Sequence, residues 1–584
     1  MIAEQCVVGI CFVPLEANAP KFFGFSEFLA GLALMVLAWT IADIRYRFRI
    51  RSAPIPLYGL TFAVVAAIGI FTLLTDLWRA QGWLVPKVSF FTPAAWQALL
   101  GGLYLLTFLI WAIFAFIRPA TYGSWNAKRY AETLFRVIVK GSPTELAVVA
   151  DELTRSAKAL VFYASPRDEF QRFLPNPARK KREPSKIETY ANDILSLIAD
   201  RRFCHAIVES SPSTVWAFFG EIGEQKKYGV QIQTFAKNIV NEALENKGSF
   251  LYHETAGYES GLIGNYKPIC QSIFSNYEIV ETIGTVLDTD YRSRTKWDSD
   301  QWEAYCRIVL MTFGDYVGRG NSGRSYVLYS ALKDIGNALV DLYRLNGVES
   351  IKWNDDLLAR LGVVVEFIKE AVGILEKKGV PADLGRRSKG KNLHHSENIY
   401  DQIANLIFEV IFAASAVTSP RDQCWWVQHN AVWGELFNFG YLDGQAGNVV
   451  KSRVYRLLYN DIVEMKRLPF PNFKGARILG FCLNVMGLER RKDDCFKDSR
   501  ALHKAILIWT RKNFAWLYNE NPRVGEACLV DGVTYDAADH RIVMTYPADG
   551  LRRAPHHLYL YIDPPISGSS NAPAMIANPE EIKD

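Results

Sequence analysis

The sequence predicts a membrane protein of mainly α class. It should have three N-terminal transmembrane helices, a large irregular α-helical cytoplasmic domain, and a small C-terminal β-hairpin or three-stranded element. Three observations carry this reading. Residues 25–117 hold three apolar segments separated by short charged connections. From Ser124 to about Asn521 apolar residues recur at helical spacing. Beyond Glu526 short β-branched and aromatic runs alternate with turn residues. The expected division is a short extracytoplasmic arm (1–24), a three-helix anchor (25–118), a helical cytoplasmic domain with room for two subdomains (119–525), a small β element (526–562) and a tail (563–584). The tail is rich in Pro, Ser, Asn and Ala, a composition that predicts disorder.

Residues 1–24 lack a basic start, and their apolar run, Cys6 to Leu15, is short, so no cleavable signal peptide is expected. Of nine cysteines, only Cys6 and Cys11 would lie outside the cell. Their spacing suits a disulfide or two free thiols in an unstructured arm. The other seven are scattered without a Cys-x-x-Cys pair, as reduced cytosolic thiols are.

The first apolar segment, about Phe25 to Ile44, has an uncharged stretch from Phe28 to Ala42. That is about 22 Å of helix, short of the roughly 30 Å hydrocarbon core, so Phe22, Phe23 and Phe25 must extend it. The second segment, Ser52 to Thr75, carries no charge, and Pro54 and Pro56 suit its start. Gly59, Ala63 and Ala67 form a small-residue stripe along it, a face that lets another helix approach closely. The third, Val88 to Ile117, is also uncharged, and Thr92-Pro93 reads as a helix cap with proline in the first turn.

Orientation follows from basic residues in the connections. Arg45, Arg47, Arg49 and Arg51 follow the first segment, and Arg118, Lys128, Arg129, Arg136 and Lys140 follow the third. Lys21, Arg79 and Lys87 lie on the other side. The positive-inside rule places the N-terminus outside and the C-terminus in the cytoplasm of a multi-pass inner (plasma) membrane protein. The four arginines between the first two segments also form a candidate lipid-headgroup collar. Asp43 and Asp76 sit at segment ends, so no intramembrane ionisable group marks an ion or proton path.

The net charge is +5, of which +3 belongs to residues 1–119 and +2 to the rest. A body this close to neutral is not expected to bind nucleic acid by bulk charge. Capping boxes at Ser142-Pro143-Thr144-Glu145 and Ser185-Lys186-Ile187-Glu188 predict helices to about Ala164 and Val208. Ser211-Pro212 predicts a further start. An amphipathic run follows Asn354 to Lys378, and an apolar helix follows Ser396. Further helices are expected at 446–466, 473–487 and 497–519. The Ser-Pro starts are unevenly spaced, which excludes a regular solenoid. A basic loop, Arg179-Lys180-Lys181-Arg182, is a second candidate for anionic headgroups, and Arg386 to Lys391 forms another basic run.

Candidate chemistry is sparse. Gly318-Arg319-Gly320-Asn321-Ser322-Gly323-Arg324-Ser325 satisfies G-x-G-x-x-G and resembles a phosphate loop with arginine in place of lysine. Helical spacing precedes it, which favours a glycine-rich turn between helices. Gly318, Arg319, Gly320, Gly323, Arg324 and Ser325 nevertheless form a candidate anion or phosphate site. His253-Glu254 is a candidate acid–base pair in a polar, glycine-rich stretch. The histidines and cysteines show no metal spacing, and no metal or cofactor is expected. No catalytic motif is complete, so an enzyme is not the leading expectation. The leading one is a membrane-anchored interaction protein (sensor, effector or scaffold subunit) whose partners are the lipid bilayer and another protein or a second copy. The alternatives are an oligomeric pore gated by the cytoplasmic domain, and a nucleotide- or phosphate-binding sensor or enzyme using residues 318–325.

Overall fold

A computed structural model describes residues 5–7, 10–15, 21–41, 43–86, 92–166, 184–255, 266–348, 355–381, 397–438, 440, 442–467, 471–489, 498–548 and 554–564. It is mainly helical, with a small three-stranded sheet near the C-terminus. The chain forms two compact units, Met1–Thr289 and Asp290–Asp584.

The first unit opens with strands β1 (Gln5–Val7) and β2 (Ile10–Pro14), so the N-terminal arm is not structureless. The apolar run Cys6 to Leu15 is used as a hairpin. Helices α1 (Phe25–Ile41), α2 (Ile44–Arg51) and α3 (Leu57–Ala80) follow, then β3 (Leu84–Pro86) and α4 (Pro93–Ala112), which continues as a π-turn over Ile113–Ile117. The strands form an antiparallel sheet in the order β1-β2-β3. The helices α3 (57–80) and α4 with its π-turn (93–117) are long and apolar enough to cross a membrane; in α1 the apolar stretch is shorter, Phe25–Leu37.

Polar groups gather at one end of these helices. Asp76 Oδ2 accepts from the Phe25 N–H at 3.0 Å, and Gln97 Oε1 accepts from the Phe22 N–H at 2.9 Å. Both satisfy amides near the start of α1, which a helix leaves without partners of its own. Trp96 Nε1 donates to Thr75 Oγ1 at 3.1 Å. Gly69 lets α1 approach α3 closely, since a Cβ there would stand 2.7 Å from the Phe28 ring. Thr92 caps α4 through the Ala95 N–H, with Pro93 in the first turn, as its sequence predicts.

The rest of the first unit is a helical body: α5 (Ala127–Lys140), α6 (Pro143–Thr154), α7 (Ala157–Tyr163), α8 (Lys186–Leu197), α9 (Arg201–Ser210), α10 (Ser213–Glu224), α11 (Gln233–Glu245), α12 (Phe250–Thr255), α13 (Pro268–Phe274) and α14 (Tyr277–Ile283). Both capping boxes form, at Ser142/Glu145 and Ser185/Glu188. Each predicted long helix is broken, however. The chain turns at Arg155–Ser156, where the buried Ser156 hydroxyl binds Tyr122 N and Tyr130 Oη at 3.1 and 2.9 Å. It turns again before Arg201, where Asp200 caps α9.

The second unit comprises α15 (Tyr291–Arg294), α16 (Ser299–Gly318), α17 (Tyr326–Gly336) with two 3₁₀ turns (Asn337–Leu339, Leu342–Leu345), α18 (Asp356–Lys378), α19 (Ile399–Ser415), α20 (Arg421–Trp425) with a π-helical stretch (Trp426–Asn438), α21 (Gln445–Glu464), α22 (Phe473–Met486), α23 (Arg500–Glu520) and α24 (Pro522–Ala527). It ends in β4 (Val533–Asp536), β5 (Arg541–Tyr546) and β6 (His556–Tyr561), an antiparallel sheet in that order. Ala527 closes α24, and Cys528–Val530, expected from the sequence as part of a strand, form a turn and coil instead. Val533, Ile542 and Met544 bury one face of the sheet. Tyr535 packs on Phe514 and Tyr518 of α23, with ring centroids 5.1 and 5.0 Å apart. This helix supplies the layer against which the small sheet packs.

Candidate functional site

The arginine run between the first two apolar segments is helical, and that divides it. Residues four apart share a helix face, so Arg45 and Arg49 lie together and Arg47 and Arg51 lie on the other side. Arg45 pairs with Asp151 at 2.9 Å. Arg49 is buried. Its Nε and Nη2 donate to the two Glu152 carboxylate oxygens at 2.8 and 2.6 Å, and its Nη1 donates to the Ala115 carbonyl at 2.9 Å. Arg49 therefore does not belong to a headgroup collar, while Arg47 and Arg51 stay exposed. The Ala115 carbonyl lies in the π-turn that ends the helix, where carbonyls lack intrahelical partners and accept a side-chain donor. The Glu152 carboxylate, through its hydrogen bonds, raises the Arg49 pKa above its ordinary value. One guanidinium thus joins α2, α6 and the end of α4. The second basic candidate, Arg179, Lys180, Lys181 and Arg182, lies outside the described residues, as does the run from Arg386 to Lys391.

Gly59, Ala63 and Ala67 are exposed on α3. The face of α3 turned to the rest of the chain carries Thr61, Val65, Ile68 and Gly69 instead. Among the described residues the small-residue stripe is therefore not used in packing.

The candidate phosphate loop joins two helices, α16 and α17, with no strand before it. Ser325 caps α17 by accepting from the Leu328 N–H. The Gly318 carbonyl accepts from Lys378 Nζ at 2.8 Å, the Ser322 carbonyl from the Ile399 N–H at 3.2 Å, and the Gly323 carbonyl from the Tyr316 hydroxyl. Gly320 takes a positive φ of 81°, which glycine allows without strain. Arg319 pairs with Asp315 at 2.6 Å, and Arg324 lies 4.9 Å over the Tyr329 ring. Residues 318–325 are thus a tied turn with both arginines engaged.

His253 and Glu254 point apart on α12. Glu254 is buried and accepts from the Ile269 and Cys270 N–H groups at 3.2 and 2.7 Å, capping the start of α13, while His253 is exposed. The pair makes no acid–base site.

What the motifs did not mark is a groove in the second unit, a cavity of 840 Å³ between α17 with its 3₁₀ turns and α19. Asn346 fixes the far end: its Nδ2 donates to the Tyr343 and Ala416 carbonyls, both at 2.7 Å, and its Oδ1 accepts from Thr418 N and Ser419 N at 2.8 and 3.2 Å. At the side, Lys474 pairs with Glu409 at 3.0 Å and lies over the Phe408 and Phe412 rings. Gln402 lies in the wall, 3% exposed, and neither its Nε2 nor its Oε1 has a hydrogen-bond partner among the described residues. A buried carboxamide without partners costs about 1–3 kcal/mol, a feature expected where function rather than stability holds a residue. Val340 and Tyr343 line the groove at 73% and 56% exposure, and Lys333 and Arg477 add two cations.

No known family model matches the chain, and no curated protein matches it.

Proposed function

We propose that this is a membrane-anchored interaction protein, acting through its helical body as a sensor, effector or scaffold subunit. In this reading α1, α3 and α4 are three spans, the N-terminus lies outside, and the helical body lies in the cytoplasm beneath the inner (plasma) membrane. The supporting observation is the outward face of these helices. Leu34, Phe62, Ile70, Leu105, Phe116 and Ile117 are each more than half exposed. In the 18-residue apolar stretch of each helix, only 33% of α3 and 17% of α4 are buried inside the chain. Core helices of a water-soluble protein bury such residues, whereas lipid accepts them. The α1 helix is short for a span, and the phenylalanines at its start lengthen its apolar surface.

The groove between α17 and α19 is the place this reading gives to a protein partner. Its exposed aliphatic and aromatic lining, beside Gln402 and two cations, suits a segment with apolar side chains and free main-chain hydrogen-bonding groups. A photo-cross-linking residue at position 340 tests it in cells. The expected result is a discrete cross-linked adduct that Tyr343→Ala diminishes. A lone monomer in both proteins overturns the assignment. A second reading, self-assembly through the spans, is favoured by the exposure of Gly59, Ala63 and Ala67. It predicts that Ala63→Leu lowers the oligomer size in mild detergent, and an unchanged size excludes it.

A further inference from the structure

The outer sheet holds a juxtaposition that the function above does not use. Strands β1 and β2 pair antiparallel with Cys6 directly opposite Cys11. Val7 and Ile10 flank the two-residue connection. Residues directly opposite in an antiparallel ladder have Cα atoms about 4.5–5.5 Å apart, within the roughly 4.4–6.8 Å that a disulfide bridges.

We propose that Cys6 and Cys11 form a cross-strand disulfide that staples the outer hairpin. The inference rests on the N-outside orientation, which alone puts the pair in an oxidising compartment. The strands make a case for a staple. β1 has three residues and β2 five, and a hairpin of that size is marginal by itself. The other edge of β2 pairs with β3, through Phe12↔Pro86 and Val13↔Val85, and β3 lies in the connection between α3 and α4. A closed hairpin therefore pins the connection between two spans. The described cysteines of the helical body behave differently. Cys204, Cys270, Cys306, Cys424, Cys482 and Cys528 are buried free thiols, and burial pushes each thiol pKa up, which suppresses the reactive thiolate.

The bond forms by exchange with an oxidised dithiol oxidoreductase of the extracytoplasmic space. One cysteine thiolate attacks the oxidant's disulfide and releases one of its sulfurs as a thiolate. The second cysteine thiolate then displaces the other oxidant sulfur from the mixed disulfide. Two cysteine thiols lose two protons and two electrons, and the oxidant leaves as a dithiol.

The test uses the full-length protein in cells. No lysine or arginine precedes Lys21, so trypsin leaves both cysteines in one peptide, Met1–Lys21. Cells are quenched with a thiol alkylator and the peptide is weighed before and after reduction. The expected peptide carries no alkyl group until it is reduced, and then two. A peptide alkylated twice without reduction overturns the disulfide. A membrane-impermeant maleimide on intact cells reads the orientation separately. Labelling without reduction leaves the orientation standing and removes the disulfide. An absence of labelling even after reduction removes the orientation, and the disulfide with it. Cys11→Ser should leave Cys6 labelled without reduction; a Cys6 that stays unlabelled there, while the reduced natural chain is labelled, contradicts the pairing.

Discussion

Replacing Glu152 with glutamine should destabilise the first unit sharply, while replacing Arg49 and Glu152 together with apolar residues should not. Arg49 and Glu152 have side chains only 7% and 3% exposed, and they meet through two hydrogen bonds. Glu152→Gln leaves a buried guanidinium with one carbonyl partner, Ala115, and a neutral amide that can accept at one atom only. Breaking a buried pair in this way costs about 3–5 kcal/mol. For a unit of this size each kcal/mol moves the melting midpoint by about 2–4 °C, so a fall of roughly 6–20 °C is expected. The double variant Arg49→Met/Glu152→Leu removes both charges and keeps most of the volume. Exchanges of that kind are often neutral or stabilising, so it should recover most of the loss. The assay is the thermal midpoint of the full-length protein in mild detergent, read as loss of the monodisperse peak after heating. If the single and double variants fall equally, the two residues are not coupled and the clamp between α2, α6 and the end of α4 is not what holds this region together.

Asp461 on α21 has a buried Oδ2 without a partner among the described residues, and burial raises its pKa. A carboxyl whose pKa is raised on folding favours the folded state below its ordinary pKa of 3.8, and that contribution is lost as pH rises through the folded value. Asp461→Asn should therefore raise the thermal midpoint at pH 7, by the equivalent of about 1 kcal/mol, and the gain should shrink as pH falls toward 3.8 and vanish well below it. A gain that does not shrink as pH falls contradicts this. Gln402→Leu removes an unbonded buried carboxamide and should stabilise the second unit by about 1 kcal/mol. The same change should weaken the adduct formed at position 340, and a destabilised Gln402→Leu protein would show that the amide is already satisfied. At Gly447 an added Cβ would stand 2.2 Å from the Leu442 carbonyl oxygen. Gly447→Ala should cost several kcal/mol, and an unchanged midpoint would refute that close approach.

Local chemistry was legible where it is encoded in neighbouring residues. The Ser142 and Ser185 capping boxes, the Thr92-Pro93 start and the period-two strands β5 and β6 need only a few residues of context. The breaks at Ser156 and before Arg201 were not legible, because tertiary partners such as Tyr122 and Tyr130 decide them. The hairpin of β1 and β2 was missed for a related reason. Its strands are short, and one of its edges is completed by β3, some seventy residues away. The partners of Arg49 and of Glu254 likewise come from elsewhere in the chain, at separations of 103 and 15–16 residues. The two arginines of the glycine-rich loop looked like free cations, yet Asp315 one helical turn earlier takes Arg319 and Tyr329 lies under Arg324. The groove had no motif at all. Its signal is an unbonded carboxamide, a quantity that exists only once the chain is folded.

The central claim is that three N-terminal helices hold the helical body on the cytoplasmic side of a membrane. The most direct test places an epitope at the C-terminus and treats right-side-out and inside-out membrane vesicles with protease. The account predicts that the epitope sediments with membranes after alkaline carbonate washing, survives protease in right-side-out vesicles and is lost in inside-out ones. Release by carbonate would contradict the spans, and digestion from the outer side would contradict the orientation.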